Sequence, residues 1–118
     1  MLTSPKQASA INAASADPAN IFAALGDQTR LRLVAVLCAS GALSIAQLTA
    51  GSDITRQAVT KHLHVLAQAG LVHDVKAGRE RLWTLDGARL MQARHALDTI
   101  AQQWDQALNR LKLAVEGP

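Results

Sequence analysis

The stretch TRQAVTKHLHVLAQAGLV, residues 55–72, has two chemically different faces when it is drawn as a helix. Val59, Leu63 and Leu66 recur at spacings of three and four residues and form an apolar stripe. His62 lies on the same stripe, where a packed and hydrogen-bonded histidine is expected. The opposite face carries five cationic or hydrogen-bonding residues: Arg56, Gln57, Thr60, Lys61 and His64.

These five side chains are suited to contact with a nucleic-acid duplex. Arginine and lysine bind phosphates or guanine edges, and glutamine can form two hydrogen bonds to adenine. Threonine can donate to a phosphate or touch a thymine methyl group. A polar face of this kind is also common on solvated surface helices, so the face alone leaves both interpretations open.

Four helices are expected to position this face, and each has an N-cap signal. Asp17, Asp27, Ser44 and Thr55 can each accept a hydrogen bond from the first turn of the helix that follows. Gly26 is expected to end the first helix in a left-handed conformation. The short third helix, a turn at 51–53 and the fourth helix then follow one another in the order of a helix-turn-helix motif.

A β-hairpin is predicted directly after the fourth helix. The segment LVHDVKAGRERLWTL, residues 71–85, is rich in Val, Leu, Trp and Thr around Gly78, which indicates two strands and a turn at 77–79. Its outer end is basic and carries Lys76, Arg79 and Arg81. These three cations are predicted to contact a duplex beside the fourth helix.

The last predicted helix begins after Asp86 and extends to about Ala114, with two apolar series that each repeat every seven residues. Such a heptad pattern favours pairing with a second helix. The sequence therefore predicts a homodimer with these interface residues: Leu90, Ala93, Leu97, Ile100, Trp104, Ala107 and Leu111. Two paired chains would present two copies of the polar face to two half-sites on DNA.

The bulk properties of the chain favour one small domain. It has 118 residues and a net charge of +3. Residues 17–116 are predicted to form the domain, and residues 1–16, rich in Ala and Ser, are predicted to be a mobile tail. Cys38 is the only cysteine, which excludes an intrachain disulfide and fits a reducing compartment. No signal peptide or membrane-spanning run is evident, so a cytoplasmic protein with no membrane partner is expected.

Three segments resemble the ArsR/SmtB-type winged helix-turn-helix regulators. LGDQTRLRLVAVL at 25–37 resembles the family's second helix, AVTKHLHVLAQAGLV at 58–72 its recognition helix and first wing strand, and GRERLWTL at 78–85 its returning wing strand. The resemblance spans roughly residues 20–114, with Gln28 where the family usually has proline. It implies a mainly helical fold with a β-hairpin wing, in the order α-α-α-α-β-β-α, that dimerises through its first and last helices.

The resemblance also implies a function. In this family the recognition helix and the wing bind operator DNA, and repression is lifted when an inducer binds. The residues that match the DNA-binding positions are Gln57, Thr60, Lys61 and His64, with Arg56 nearby, and Lys76, Arg79 and Arg81 in the wing. The implied partners are double-stranded DNA with an inverted-repeat operator and a second copy of the chain.

The metal ligands of many family members are missing from this sequence. The third helix, within SIAQLTAGSD, has no Cys-X-Cys, and the ligand positions of the last helix hold Gly87, Arg89, Ile100 and Gln103. None of these supplies a carboxylate or an imidazole. The segment WDQALNRLK at 104–112 resembles the tail of a family branch without the usual ligands. No metal site or cofactor is therefore expected, and the inducer is either an organic or redox signal or absent.

Two further features permit a sensor, but a simpler interpretation is expected for each. His95 and Asp98 are spaced to share a metal across a dimer, although a solvated surface pair is the expectation. Cys38 is expected to be a buried small hydrophobe rather than a redox-sensing or metalloid-sensing thiol.

The sequence thus predicts a homodimeric, sequence-specific DNA-binding transcriptional regulator, a repressor released by an unidentified inducer. The alternative is a winged-helix module that binds another protein and not DNA. An enzyme is not expected, because no carboxylate pair, Ser-His-Asp set, phosphate-binding loop or open metal site is apparent in the sequence.

Overall fold

The computed structural model describes residues 17–117, so the tail predicted for residues 1–16 lies outside the described residues. The helices are α1 (Pro18–Leu25), α2 (Gln28–Ser40), α3 (Ile45–Ala50), α4 (Arg56–Gln68) and α5 (Gly87–Glu116). The strands are β1 (Ala42–Leu43), β2 (Val72–Ala77) and β3 (Glu80–Leu85). The predicted fold, mainly helical with a β-hairpin wing, is confirmed. Within residues 17–117, no helix is both long and apolar enough to span a bilayer.

The predicted N-caps of α1 to α4 are all present. Each of Asp17, Asp27, Ser44 and Thr55 accepts a hydrogen bond of 2.7–3.2 Å from a backbone N–H in the first turn of its helix. Asp86 caps α5 in the same way. Such caps satisfy backbone donors that have no partner within the helix and contribute about 1 kcal/mol each. In α4 the cap fixes Arg56 as the first helical residue.

The left-handed conformation expected at Gly26 is wrong. Gly26 has φ −77° and ψ 32°, and its N–H donates to the Ala23 carbonyl at 3.3 Å. This short-range bond closes α1 and the chain passes directly into the Asp27 cap, so no positive φ is required. A left-handed glycine occurs instead at Gly70, with φ 78°, two residues after α4 ends.

The core forms where α4 packs against α1, α2 and α3. Six side chains are less than 2% exposed: Ile21, Leu37, Val59, Leu63, Leu66 and Leu71. Three of them form the predicted apolar stripe of α4. Because burial of each aliphatic side chain contributes about 1.5–3 kcal/mol, this stripe holds α4 against the domain while the opposite face of the helix stays open.

β3 is the central strand of a three-stranded antiparallel sheet with the order β1-β3-β2. β1 was not predicted, because two residues are too few to show a periodic pattern. It pairs Leu43 with Trp83, and beside it the Thr84 hydroxyl donates to the Gly41 carbonyl at 2.8 Å. Gly78 lies in the turn between β2 and β3 with φ 66°, as predicted for 77–79. β1 therefore ties the base of the wing to the end of α2.

α5 runs beyond the rest of the domain and ends at Glu116. Near its start, Ala93 is 5% exposed within the core, and Leu90 packs against that core. These two residues pack against the chain's own domain, and their place in a dimer interface stays a prediction. The apolar stripe continues past this point with five exposed residues: Leu97, Ile100, Trp104, Leu108 and Leu111.

Candidate nucleic-acid interface

The open face of α4 brings together the five side chains selected from the sequence. Arg56, Gln57, Lys61 and His64 are exposed, Thr60 is half-buried, and all five line one shallow surface groove. No acidic residue occurs within residues 55–68. The cations add to the partial positive charge of the helix N-terminus, so this face attracts anions such as phosphate.

Thr60 has a narrower range of contacts than the sequence suggested. Its hydroxyl donates to the Arg56 carbonyl one turn earlier, at 2.8 Å. A threonine hydroxyl has only one donor hydrogen. Donation from Thr60 to a phosphate therefore requires loss of this bond, whereas its methyl group and its acceptor lone pairs stay usable.

His64 joins the open face of α4 to the base of the wing. Its ring centroid lies 6.4 Å from that of Trp83, and the two ring planes differ by 56°, which is a favourable aromatic geometry. Trp83 is 5% exposed, and its Nε1–H has no hydrogen-bond partner in the described part of the chain. The sequence did not indicate this contact, because helix periodicity gives no information on which wing residue faces α4.

The cations of the wing are not equivalent. Lys76 and Arg79 are exposed and have no ion-pair partner within residues 17–117. Arg81 is also exposed, but its Nε lies 3.0 Å from Oδ2 of Asp74 on the neighbouring strand. The strand register places Arg81 opposite Lys76 and makes Asp74 its diagonal neighbour. Arg81 therefore has part of its charge neutralised, which the sequence pattern did not indicate.

Metal-ligating residues are scattered over the described chain. Within residues 17–117, no group of three or more His, Cys, Asp or Glu residues is close enough to hold a metal ion. Asp98 lies 4.0 Å from the Arg94 guanidinium, one turn away, and both are exposed. Arg89 lies against Gly70 and donates to the Gln92 side chain at 3.0 Å.

Cys38 is exposed, so the expectation of a buried cysteine is wrong. α2 turns Leu33, Val34 and Leu37 toward the core. Because successive residues of a helix are about 100° apart, Cys38 lies outside this buried sector although it is adjacent to Leu37. An apolar run in the sequence concealed which of its members face solvent.

Comparison with known proteins agrees with this arrangement. A family model described as a helix-turn-helix domain matches residues 25–75, which include α2, α3 and α4. The chain is 38% identical over 91 residues to the HTH-type transcriptional regulator Rv2034 of Mycobacterium tuberculosis, with 77% of this chain and 81% of that protein covered. It is 36% identical to the solved ArsR-like transcriptional regulator from Rhodococcus sp. RHA1, with a TM-score of 0.75 over 86% of this chain and 94% of that one. The chain belongs to the ArsR family.

Membership of the ArsR family makes the protein a winged helix-turn-helix, DNA-binding transcriptional regulator rather than an enzyme. Another ArsR-family relative is the arsenical resistance operon repressor of Escherichia coli, 34% identical over 62 residues. That match covers 52% of this chain and 53% of the relative.

Proposed function

We propose that this ArsR-family regulator is a homodimeric repressor that binds an inverted-repeat operator and is released by an inducer. One observation carries the DNA-binding site. The open face of α4 and the tip of the wing together hold four cations without an ion-pair partner among the described residues: Arg56, Lys61, Lys76 and Arg79. No acidic side chain interrupts the α4 part of this surface.

The two chemical types of side chain have different tasks on DNA. The four unpaired cations bind phosphates and fix the position of the protein on the duplex. Gln57 and His64, exposed on α4, contact base edges in the major groove, and Thr60 adds its methyl group. Arg81 contributes less than the other wing cations because Asp74 already neutralises part of its charge.

The exposed part of the α5 stripe supports the proposed homodimer. Leu97, Ile100, Trp104 and Leu111 are 54–62% exposed and recur at heptad spacing. Leu108, 45% exposed, widens the stripe beside Trp104. A continuous apolar surface of this kind on a single chain marks an interaction site. A second copy of α5 covers it best. Two copies of the same helix have the same seven-residue repeat, so their apolar stripes match whether the two helices run parallel or antiparallel.

The repressor role is supported by the name of the related Escherichia coli protein, an arsenical resistance operon repressor, and release by an inducer is what the family resemblance implies. Gly87, Arg89, Ile100 and Gln103 cannot coordinate a metal as carboxylate or imidazole ligands do. The remaining alternatives are an organic or redox inducer, or no inducer at all. The genes beside the operator identify its class.

The test begins with recovery of genomic fragments bound by the purified chain, followed by gel-shift titrations of the best fragment. With about six to ten phosphate contacts per dimer, affinity should fall roughly a thousandfold or more between about 50 and about 200 mM salt. Lys61→Ala should weaken binding to every duplex and lower the salt dependence, whereas Gln57→Ala should relax preference at particular base pairs.

Lys112→Ala is the matched control for Lys61→Ala, since it removes the same charge from the far end of α5, where Lys112 lies 4.0 Å from Glu116. Its binding should equal that of the wild type. If Lys61→Ala and Gln57→Ala both bound as tightly and as selectively as the wild type, the assignment of the α4 face would be wrong. A chain that dimerises but shows no salt-sensitive duplex binding would instead be a protein-interaction module.

A further inference from the structure

The core-facing side of α4 contains one polar residue, His62, whose contacts differ from those of its apolar neighbours. The His62 side chain is 24% exposed. Its Nδ1 lies 3.4 Å from a terminal guanidinium nitrogen of Arg30 and 3.9 Å from Oδ2 of Asp27. Both partners belong to the start of α2, but only Arg30 is within hydrogen-bond distance of His62, so the Arg30 contact is the directional link between α4 and another helix.

Arg30 is itself held in place from two sides. Its Nε donates to the Ala24 carbonyl near the end of α1, at 2.6 Å, and its backbone N–H donates to the Asp27 carboxylate, at 3.0 Å. One guanidinium thus connects the end of α1 with α4. Because arginine has donors but no acceptor, the contact with His62 is a hydrogen bond when Nδ1 carries no proton and accepts.

His62 lies on the side of α4 opposite the open face, so a rotation of the helix that changes the Arg30 contact also moves the side chains of that face. At 100° per residue, His62 lies about 140–160° around the helix axis from Gln57 and His64. With side-chain ends about 6 Å from the axis, a roll of α4 by about 10° displaces them by about 1 Å. A hydrogen bond to a base edge tolerates less than that, since donor and acceptor must lie within about 2.7–3.2 Å.

The apolar stripe of α4 limits this roll through close packing, and the Arg30 contact adds a directional restraint. Val59, Leu63 and Leu66 are 0% exposed and bind the helix to the domain strongly. Apolar burial is non-directional, however, and depends on the area removed from water rather than on a particular angle. The Arg30–His62 hydrogen bond, by contrast, is favourable only over a narrow range of angles.

We infer that His62 is a positioning residue for sequence-specific DNA binding: through Arg30 it sets the roll of α4, and so aligns Gln57 and His64 with base edges. This inference rests on the proposed function. It assigns to a residue on the side of α4 away from DNA a role in operator discrimination. Phosphate contacts, made by long and flexible cations, are much less sensitive to the roll.

The experiment compares affinities of the full-length chain for two duplexes of equal length at one salt concentration. One is the fragment recovered from the genome with wild-type protein, and the other has a random sequence. His62→Leu should lower the ratio of the two affinities about tenfold, with little change on the random duplex. His62→Asn, whose side-chain oxygen can occupy the place of Nδ1 and accept from Arg30, should restore the ratio to within about threefold of wild type.

His95→Leu is the control, because His95 is an exposed histidine on α5, outside α4 and the Arg30 contact. Its ratio should equal that of the wild type. All variants are compared at a temperature where circular dichroism gives the wild-type helical signal, so that loss of folding is not read as loss of discrimination. If His62→Leu unfolds, Arg30→Lys is used in its place. Lysine has no planar guanidinium and cannot contact both Ala24 and His62, so the same tenfold loss in the affinity ratio is expected.

Two results overturn the inference while the proposed function stands: an unchanged ratio in His62→Leu, or a ratio in His62→Asn as low as in His62→Leu. The second result would mean that the ring only fills space. If wild-type protein itself shows no salt-sensitive binding to either duplex, the proposed function fails and the inference fails with it. The wild-type measurement therefore separates the two failures.

Discussion

α4 and the outer half of α5 are both amphipathic helices, but they expose opposite faces. In α4 the apolar stripe is fully buried and the polar face is open. In α5 beyond Ala93 the apolar stripe itself is open, with Trp104 62% exposed. The comparison teaches that helical periodicity identifies the two faces of a helix, while the surrounding domain decides which face stays available to a partner.

The largest expected effect tests the buried side of this comparison. Leu63→Ala removes a side chain that is 0% exposed in the core. We expect it to lower the free energy of unfolding by about 2–5 kcal/mol, because lost burial and a residual cavity add together. Urea titration followed by circular dichroism measures the change. Leu31→Ala, on an exposed part of α2, is the control and should change the value by about 0.5 kcal/mol or less. Equal changes in the free energy of unfolding for Leu63→Ala and Leu31→Ala would contradict the burial of the α4 stripe in the core.

The next largest effect concerns dimerisation through the exposed apolar stripe of α5. Trp104→Ala should weaken dimerisation by about 2 kcal/mol or more, roughly 30-fold in Kd, because a large aromatic side chain at the centre of an interface dominates its energy. Sedimentation equilibrium measures the monomer–dimer constant. Gln102→Ala, two residues away and off the stripe, should leave it unchanged. A dimer unaffected by Trp104→Ala would mean that the chains pair through another surface.

A smaller effect on the salt dependence of DNA binding should distinguish a wing cation without an ion-pair partner among the described residues from one that is already paired. Arg79→Ala should lower the slope of log affinity against log salt by about 1 per protomer, as expected for a lost phosphate contact. Arg81→Ala should lower it less, because Asp74 lies 3.0 Å from the Arg81 guanidinium. Salt titrations of both variants on one duplex provide the comparison. An equal loss in the two variants would mean that the Asp74 pair opens on DNA.

The smallest expected effect concerns the cap on which the Arg30 contact depends. The hydrogen bond from the Arg30 backbone N–H lowers the pKa of Asp27 below its ordinary value of 3.8. A carboxyl whose pKa is lower in the folded state stabilises the fold above the unfolded pKa and loses that contribution as the pH falls through the folded one. The stability difference between wild type and Asp27→Asn should therefore shrink as the pH is lowered from about 5 to below 3.8. Denaturant titrations at several pH values measure it, and a constant difference would contradict the assignment.

Local signals were sufficient for much of the fold. N-caps at Asp27, Ser44 and Thr55 are decided by residues within one turn, so the sequence predicts where those helices begin. The open face of α4 follows from helical spacing in the same way. The wing turn at Gly78 is equally local, because its positive φ favours glycine.

Features that depend on tertiary neighbours were not predictable from periodicity. The pairing of Arg81 with Asp74 depends on the register of β2 and β3, and the exposure of Cys38 depends on how α2 is rotated against the core. Ala93 has the same heptad spacing as Ile100, yet only Ala93 lies over the domain. In each case the sequence pattern identified a surface but not what lies next to it.

The protruding end of α5 has a consequence for how the regulator responds to its own abundance. In the proposed homodimer two copies must meet before the exposed stripe around Trp104 is covered, so mass action would couple association to cellular copy number. When the chain is scarce relative to its monomer–dimer constant, occupancy of a palindromic site should rise with about the square of chain concentration. A modest change in expression would then produce a disproportionate change in gene output, with no additional signal molecule.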